Sequence, residues 1–164
     1  MEPSTVFSSQ DVAKLTGVSL RQLQWWDEQK VVSPIQRSHR RLYSRFQVIQ
    51  VSLIVNLRRK GISLQKTRGV LEKFKDFVSD NGNRLVNARA PLAELYLITD
   101  GKHVELADSP QAIVKVLLDQ TKPIVGVCVS DLVDQIDSSG AGPKPVRRET
   151  RSAASGPRRV QKAS

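Results

Sequence analysis

The chain has little of what catalytic and metal centres are built from. Its 164 residues include one cysteine and two histidines. A single thiol, Cys128, forms neither an internal disulfide nor a cluster of thiolate ligands. It lies in the apolar run "IVGVCVS", where it reads as a small buried hydrophobe. His39 and His103 are far apart, no Gly-rich phosphate loop is present, and no pair of carboxylates falls on a legible scaffold. No catalytic residue, cofactor-binding residue or metal ligand can be nominated, so we expect neither an enzyme nor a cofactor. His103, beside a turn signal, reads as an exposed strand residue. No apolar run is long enough to span a bilayer, and "MEPSTVFSSQ" lacks the basic cap and apolar stretch of an export signal. The expectation is a soluble cytoplasmic protein in a reducing setting, without a membrane partner.

Positive charge is in excess. Lys and Arg number 26 against 16 Asp and Glu, a net charge of +10, which favours a polyanionic partner. Residues 1–79 carry 14 basic and 6 acidic side chains, 80–139 carry 5 and 9, and 140–164 carry 7 and 1. Basic ends around an acidic middle predict a polyanion-binding domain over 1–79, a second module over 80–139 and a basic tail over 140–164. That tail, "GAGPKPVRRETRSAASGPRRVQKAS", has almost nothing to bury and is expected to be disordered.

The first segment is punctuated by helix starts. Ser8 with Asp11, Ser19 with Gln22 and Ser44 with Gln47 each have capping-box spacing, and "TGV" breaks the first helix at Gly17. Two short helices around a tight glycine turn make a helix-turn-helix. "VVSPIQRSHRRLYS" then reads as a short two-stranded wing carrying Arg37, Arg40 and Arg41, with Pro34 confining it to an edge. A third helix carries Phe46, Ile49, Leu53 and Leu57 and stops at "RRKG". A fourth, from Ser63, carries Leu64, Leu71, Phe74 and Val78.

The second helix contains both tryptophans, in "RQLQWWDEQK". At about 100° per residue, Leu20 and Trp26 flank Leu23 in a buried stripe, while Trp25 falls about 160° from Leu23 beside Arg21. Arg21, Gln22, Gln24 and Trp25 thus form an outward face. Arginine and glutamine there supply donors to phosphates and base edges. With Ser19 at the helix start, Arg40, Arg41 and Tyr43 on the wing and Lys60 at the end of the third helix, these are the candidate DNA-binding residues. Basic side chains at 58–60 also suit the negative end of a helix dipole.

With "DVAKLTGVS", "RQLQWWDEQKVVSP", "HRRLYS" and "LRRKGISLQKTRGVL", residues 7–71 resemble the MerR family of bacterial winged helix-turn-helix transcription regulators. Leu23, Trp25, Trp26, Asp27, Pro34, Arg41, Tyr43, Leu57, Arg58 and Gly61 fit the family pattern, whereas Gln24 stands where it has arginine. The resemblance implies a dimer that binds an inverted-repeat operator in double-stranded DNA and distorts the duplex. Excisionase-like DNA-bending proteins, and antitoxin-like autoregulators whose middle module binds a partner protein, are the alternatives. A small-molecule or protein effector is left open.

The family's long dimerising helix has no counterpart, since "SDNGNRLVNARAP" carries Gly82 and Pro91 without a heptad. The middle segment reads as two strands joined at Asp100 and Gly101, a helix capped by Ser109 and Pro110 through Ile113, Val114 and Leu117, the strand "IVGVCVS", and a last helix from Ser130. Such a ββαβα unit is too small for a comfortable core. It is expected to pack on the first domain or to pair with its own copy, making a homodimer through residues 84–137 with "LYLIT" or "VGVCVS" as the joining edge. The chain is therefore read as α+β: a winged helix-turn-helix, a small ββαβα module and a basic tail, in a nucleoid-associated regulator.

Overall fold

Seven consecutive residues, 48–54, are buried, so helix α3 (Arg45–Arg59) has no solvent-facing side there. It is the axis of the fold in a computed structural model of the chain, which describes residues 6–80, 95–119 and 124–139. Before α3 come β1 (Val6–Ser8), α1 (Ser9–Thr16), α2 (Leu20–Glu28), β2 (Ile35–Arg37) and β3 (Arg40–Ser44). After it come α4 (Leu64–Asp80), β4 (Tyr96–Thr99), β5 (Val104–Ala107), α5 (Pro110–Asp119), β6 (Val125–Cys128) and α6 (Val129–Ser138). The chain is thus α+β, with two small antiparallel sheets.

Local chemistry sets the element ends. The Ser8 hydroxyl accepts from the Asp11 amide at 3.2 Å while the Asp11 carboxylate accepts from the Ser8 amide at 3.0 Å, closing a capping box on α1. Gly17 ends that helix at φ 74°, a left-handed conformation that a side chain would resist. Ser44 and Gln47 close a second box on α3. Ser19 accepts from the Gln22 amide at 3.1 Å, but the expected return contact from the Gln22 side chain is not made, and that side chain stays exposed.

Around α3 one apolar cluster runs from Phe7 through Leu23, Trp26, Leu53 and Phe74 to Leu97, Val127, Leu132 and Ile136. Helix α4 lies along one side, with Phe46 stacked on Phe74 at a centroid distance of 5.9 Å. Helix α6 and strand β6 lie on α3 as well, and Arg45 donates to both Asp137 carboxylate oxygens at 2.9 and 2.7 Å. Packing of the middle module on the first segment, one of the two expected outcomes, is therefore present.

The wing hairpin pairs as read, β2 against β3, and β1 adds to it with Phe7 opposite Tyr43, giving the order β1-β3-β2. Three expectations need correction. Leu20 is 49% exposed rather than part of the buried stripe, because at the first helical position the chain is still entering from the turn. The strands β4 and β5 are joined by four residues, Thr99 pairing with Val104. Asp100 makes the longer loop by accepting from the Lys102 and His103 amides, both at 2.7 Å. Finally, β4 is the central strand of the order β5-β4-β6, so "LYLIT" is not an edge, whereas β6 is. The Gly82 and Pro91 turn and the basic tail lie outside the described residues. No described helix is long and apolar enough to cross a membrane.

Candidate nucleic-acid interface

Helix α2 divides its side chains sharply. Leu23 and Trp26 are each 2% exposed and Asp27 is buried, while Arg21, Gln22, Gln24 and Trp25 face outward. Four outward residues in five positions form a polar face closed by one aromatic ring, the inventory from which base edges and phosphates are contacted. Gln24 donates to Glu28 at 2.9 Å, so its amide is oriented along the helix. The helix stops through Lys30, held at φ 57°, with the Val31 amide reaching back to the Trp26 carbonyl at 2.8 Å.

The wing is fastened to this helix by a buried carboxylate. The Arg41 Nε donates to Asp27 Oδ2 at 2.8 Å, and Gln36 Nε2 approaches the same oxygen at 3.5 Å. The hydrogen bond to Asp27 raises the Arg41 pKa against the opposing effect of burial. Asp27 therefore fixes the angle between α2 and both strands of the β2–β3 hairpin. Sequence reasoning gave it no role, although the signal was there: four residues after Leu23, it falls on the buried stripe, where a carboxylate needs a partner.

The hairpin tip is the reverse of relaxed. Ser38 and His39 form its two-residue turn with φ of 46° and 64°, the conformation for which asparagine and glycine are preferred. Arg37 and Arg40 pair directly across the ladder, a like-charge arrangement that is unfavourable in water. A polyanion neutralises that repulsion. Arg37, Ser38, His39 and Arg40 are all exposed.

The nine nominated residues do not all meet. Arg21, Gln22, Gln24 and Trp25 share one face of α2, with Ser19 at its cap. Arg40 is on the hairpin tip and Arg41 at the hinge between hairpin and helix. Tyr43 is elsewhere: at 1% exposure it belongs to the core, where burial raises its pKa and the neighbouring Ser9 hydroxyl opposes the shift. Its hydroxyl makes no well-formed hydrogen bond. Lys60 caps the end of α3 remote from the wing, about 22 Å from Arg45 at 1.5 Å per residue. Next to it, Arg59 reaches towards the helix-turn-helix corner, its guanidinium 3.7 Å from where a Gly17 Cβ would stand. Among the described residues no group of His, Cys, Asp and Glu is arranged to hold a metal ion.

Residues 7–73 match the family model described as MerR HTH family regulatory protein. The match covers the helix-turn-helix, the wing, α3 and much of α4. No curated protein matches the chain.

Proposed function

We propose, from a chain whose residues 7–73 form a MerR-family DNA-binding domain of the transcription-regulator type, that it acts as a homodimer on an inverted-repeat operator and distorts the duplex there. The observation that carries this reading is the tie that Asp27 makes: an exposed polar face on α2 and an arginine-tipped hairpin, joined through Arg41. Helix α2 enters the major groove, where Gln22 and Arg21 reach base edges and Trp25 packs on the sugar–phosphate wall. Arg37 and Arg40 meet the flanking backbone, where phosphates neutralise the repulsion between them.

A domain of this size reads few base pairs, so useful discrimination needs two half-sites matched to a protein twofold. We assign that twofold to the acidic 84–137 module, which the DNA repels, and we assign to the basic 140–164 tail an added, sequence-independent affinity. Such a protein resides in the cytoplasm on the nucleoid. Selection of duplexes from a random library, followed by footprinting and circular permutation, tests the proposal. Two symmetric half-sites and a bent or untwisted duplex are expected. Strong bending without sequence preference would replace this reading with an architectural one.

A further inference from the structure

Two side chains on the exposed face of α2 are out of keeping with a surface that only grips phosphate. Glu28 is the one acidic residue among the exposed positions of this helix, and a carboxylate there opposes the DNA backbone. Leu20 is 49% exposed, an aliphatic chain on a polar face. Both share a stripe with Gln24, which stands four residues after Leu20 and four before Glu28. The Gln24 Nε2 donates to Glu28 Oε1 at 2.9 Å. A carboxylate at neutral pH only accepts, so the amide nitrogen of Gln24 must turn towards Glu28 and its carbonyl oxygen away. One amide hydrogen is thereby taken, and the oxygen and the second N–H are left for another partner.

We infer that Gln24, oriented by Glu28 and flanked by Leu20, is the residue that selects an A·T pair in the bound DNA. The inference rests on the proposed entry of α2 into the major groove, where the first turns of such a helix face base edges. Adenine shows an amino donor beside the N7 acceptor, the match for an oxygen and an N–H on one planar amide. Guanine shows two acceptors in the same place, so the fixed Gln24 oxygen would meet O6, acceptor against acceptor. Leu20 lies about 40° round and about 6 Å along the axis from Gln24, where it covers the C5-methyl of a thymine beside that adenine. Glu28 itself meets no base. It is a positioning residue that lowers affinity for every duplex and widens the difference between right and wrong ones, which is what specificity consists of.

The test uses the full chain, and since Leu20, Gln24 and Glu28 are all exposed, alanine variants should keep the parent's circular dichroism spectrum. Duplexes selected by the parent from a random library should contain an adenine whose exchange for guanine weakens binding about tenfold. Gln24→Ala should abolish that preference and leave the other selected positions unchanged. Glu28→Ala should bind sonicated genomic DNA more tightly than the parent, yet its adenine-over-guanine ratio should fall at least threefold. Replacing the neighbouring thymine by deoxyuridine removes only the methyl and should weaken the parent about fourfold, but leave Leu20→Ala unaffected. An adenine preference that survives Gln24→Ala, or a Glu28→Ala variant that gains equally on adenine and guanine duplexes, overturns the inference while the DNA reading stands. A parent that binds no genomic DNA overturns both.

Discussion

Replacing each tryptophan by alanine separates two side chains that are adjacent in sequence and opposite in environment. Trp26 is 2% exposed and belongs to the central cluster. Its removal leaves a cavity the size of an indole, for which the usual cost is about 3 to 5 kcal/mol. Trp25 is 45% exposed, so roughly half of its surface never left water. Alanine also has the higher helix propensity, by about half a kcal/mol, and the net cost of Trp25→Ala should stay below about 1 kcal/mol. With a urea dependence of about 2 kcal/mol per molar, the Trp26 variant should unfold about 2 M earlier and the Trp25 variant within about 0.5 M of the parent. Far-ultraviolet circular dichroism is the right observable, because fluorescence changes when either ring is lost. DNA affinity should behave inversely: Trp25→Ala weakens it in a protein that is still folded. Equal shifts of the two midpoints would refute the assignment of faces on α2.

Arg41→Ala should lower affinity for every duplex by freeing the hairpin from α2, and Asp27→Asn should reproduce part of that loss, although Asp27 is buried and meets no DNA. Unchanged affinity in both would sink the fastened-wing geometry. Tyr43→Phe should change stability by less than about 1 kcal/mol in either direction, because the hydroxyl removed is buried without a well-formed hydrogen bond; a large loss in urea unfolding would reveal a partner for it. The amide of His103, then its ring and the Lys102 amide, hold the Asp100 carboxyl well below the usual carboxylate range. Its folded pKa is depressed, so the stability it contributes is present above about pH 4 and lost as pH falls below that. Asp100→Asn should therefore lower stability at pH 7 and make the acid limb of a stability–pH curve shallower, and an unaltered limb would count against the loop assignment.

Much of the first segment was legible because short-range chemistry decides it. Caps at Ser8, Ser19 and Ser44, the glycine corner and the apolar spacing of α3 are all set within four or five residues, and the structure keeps them. Trp25 and Trp26 separate because a helix imposes their angle whatever surrounds them. The departures come from long-range pairing. β1 is three residues with one buried side chain, too short to leave a period-2 signature, and only Tyr43, thirty-six positions on, makes Phe7 a strand residue. For the same reason Tyr43 reads from sequence as a wing contact and folds as core. Asp100 and Gly101 carry a two-residue hairpin signal, but the Asp100 carboxylate captures two further amides and lengthens the loop. Strand order in the second sheet depends on β6 crossing to pair with β4, which no local pattern encodes. For the interface itself, outward residues on α2 were identifiable, whereas the tie from Asp27 to Arg41 required knowing that the thirteen intervening residues return to the helix.

The burial of α3 on every side over residues 48–54 bears on how this protein can be taken apart. A chain cut at residue 80 would keep every cap, strand and helix of the MerR-like segment, yet it would lose α6 and β6 from the flank of α3 and strip Arg45 of Asp137. What remains would carry a wet apolar wall along its central helix and would tend to self-associate through it. A dimer observed for such a fragment would report that new wall and nothing about the native twofold. The boundary visible in the charge distribution is thus not a mechanical one, and the two halves are expected to melt together, in a single transition.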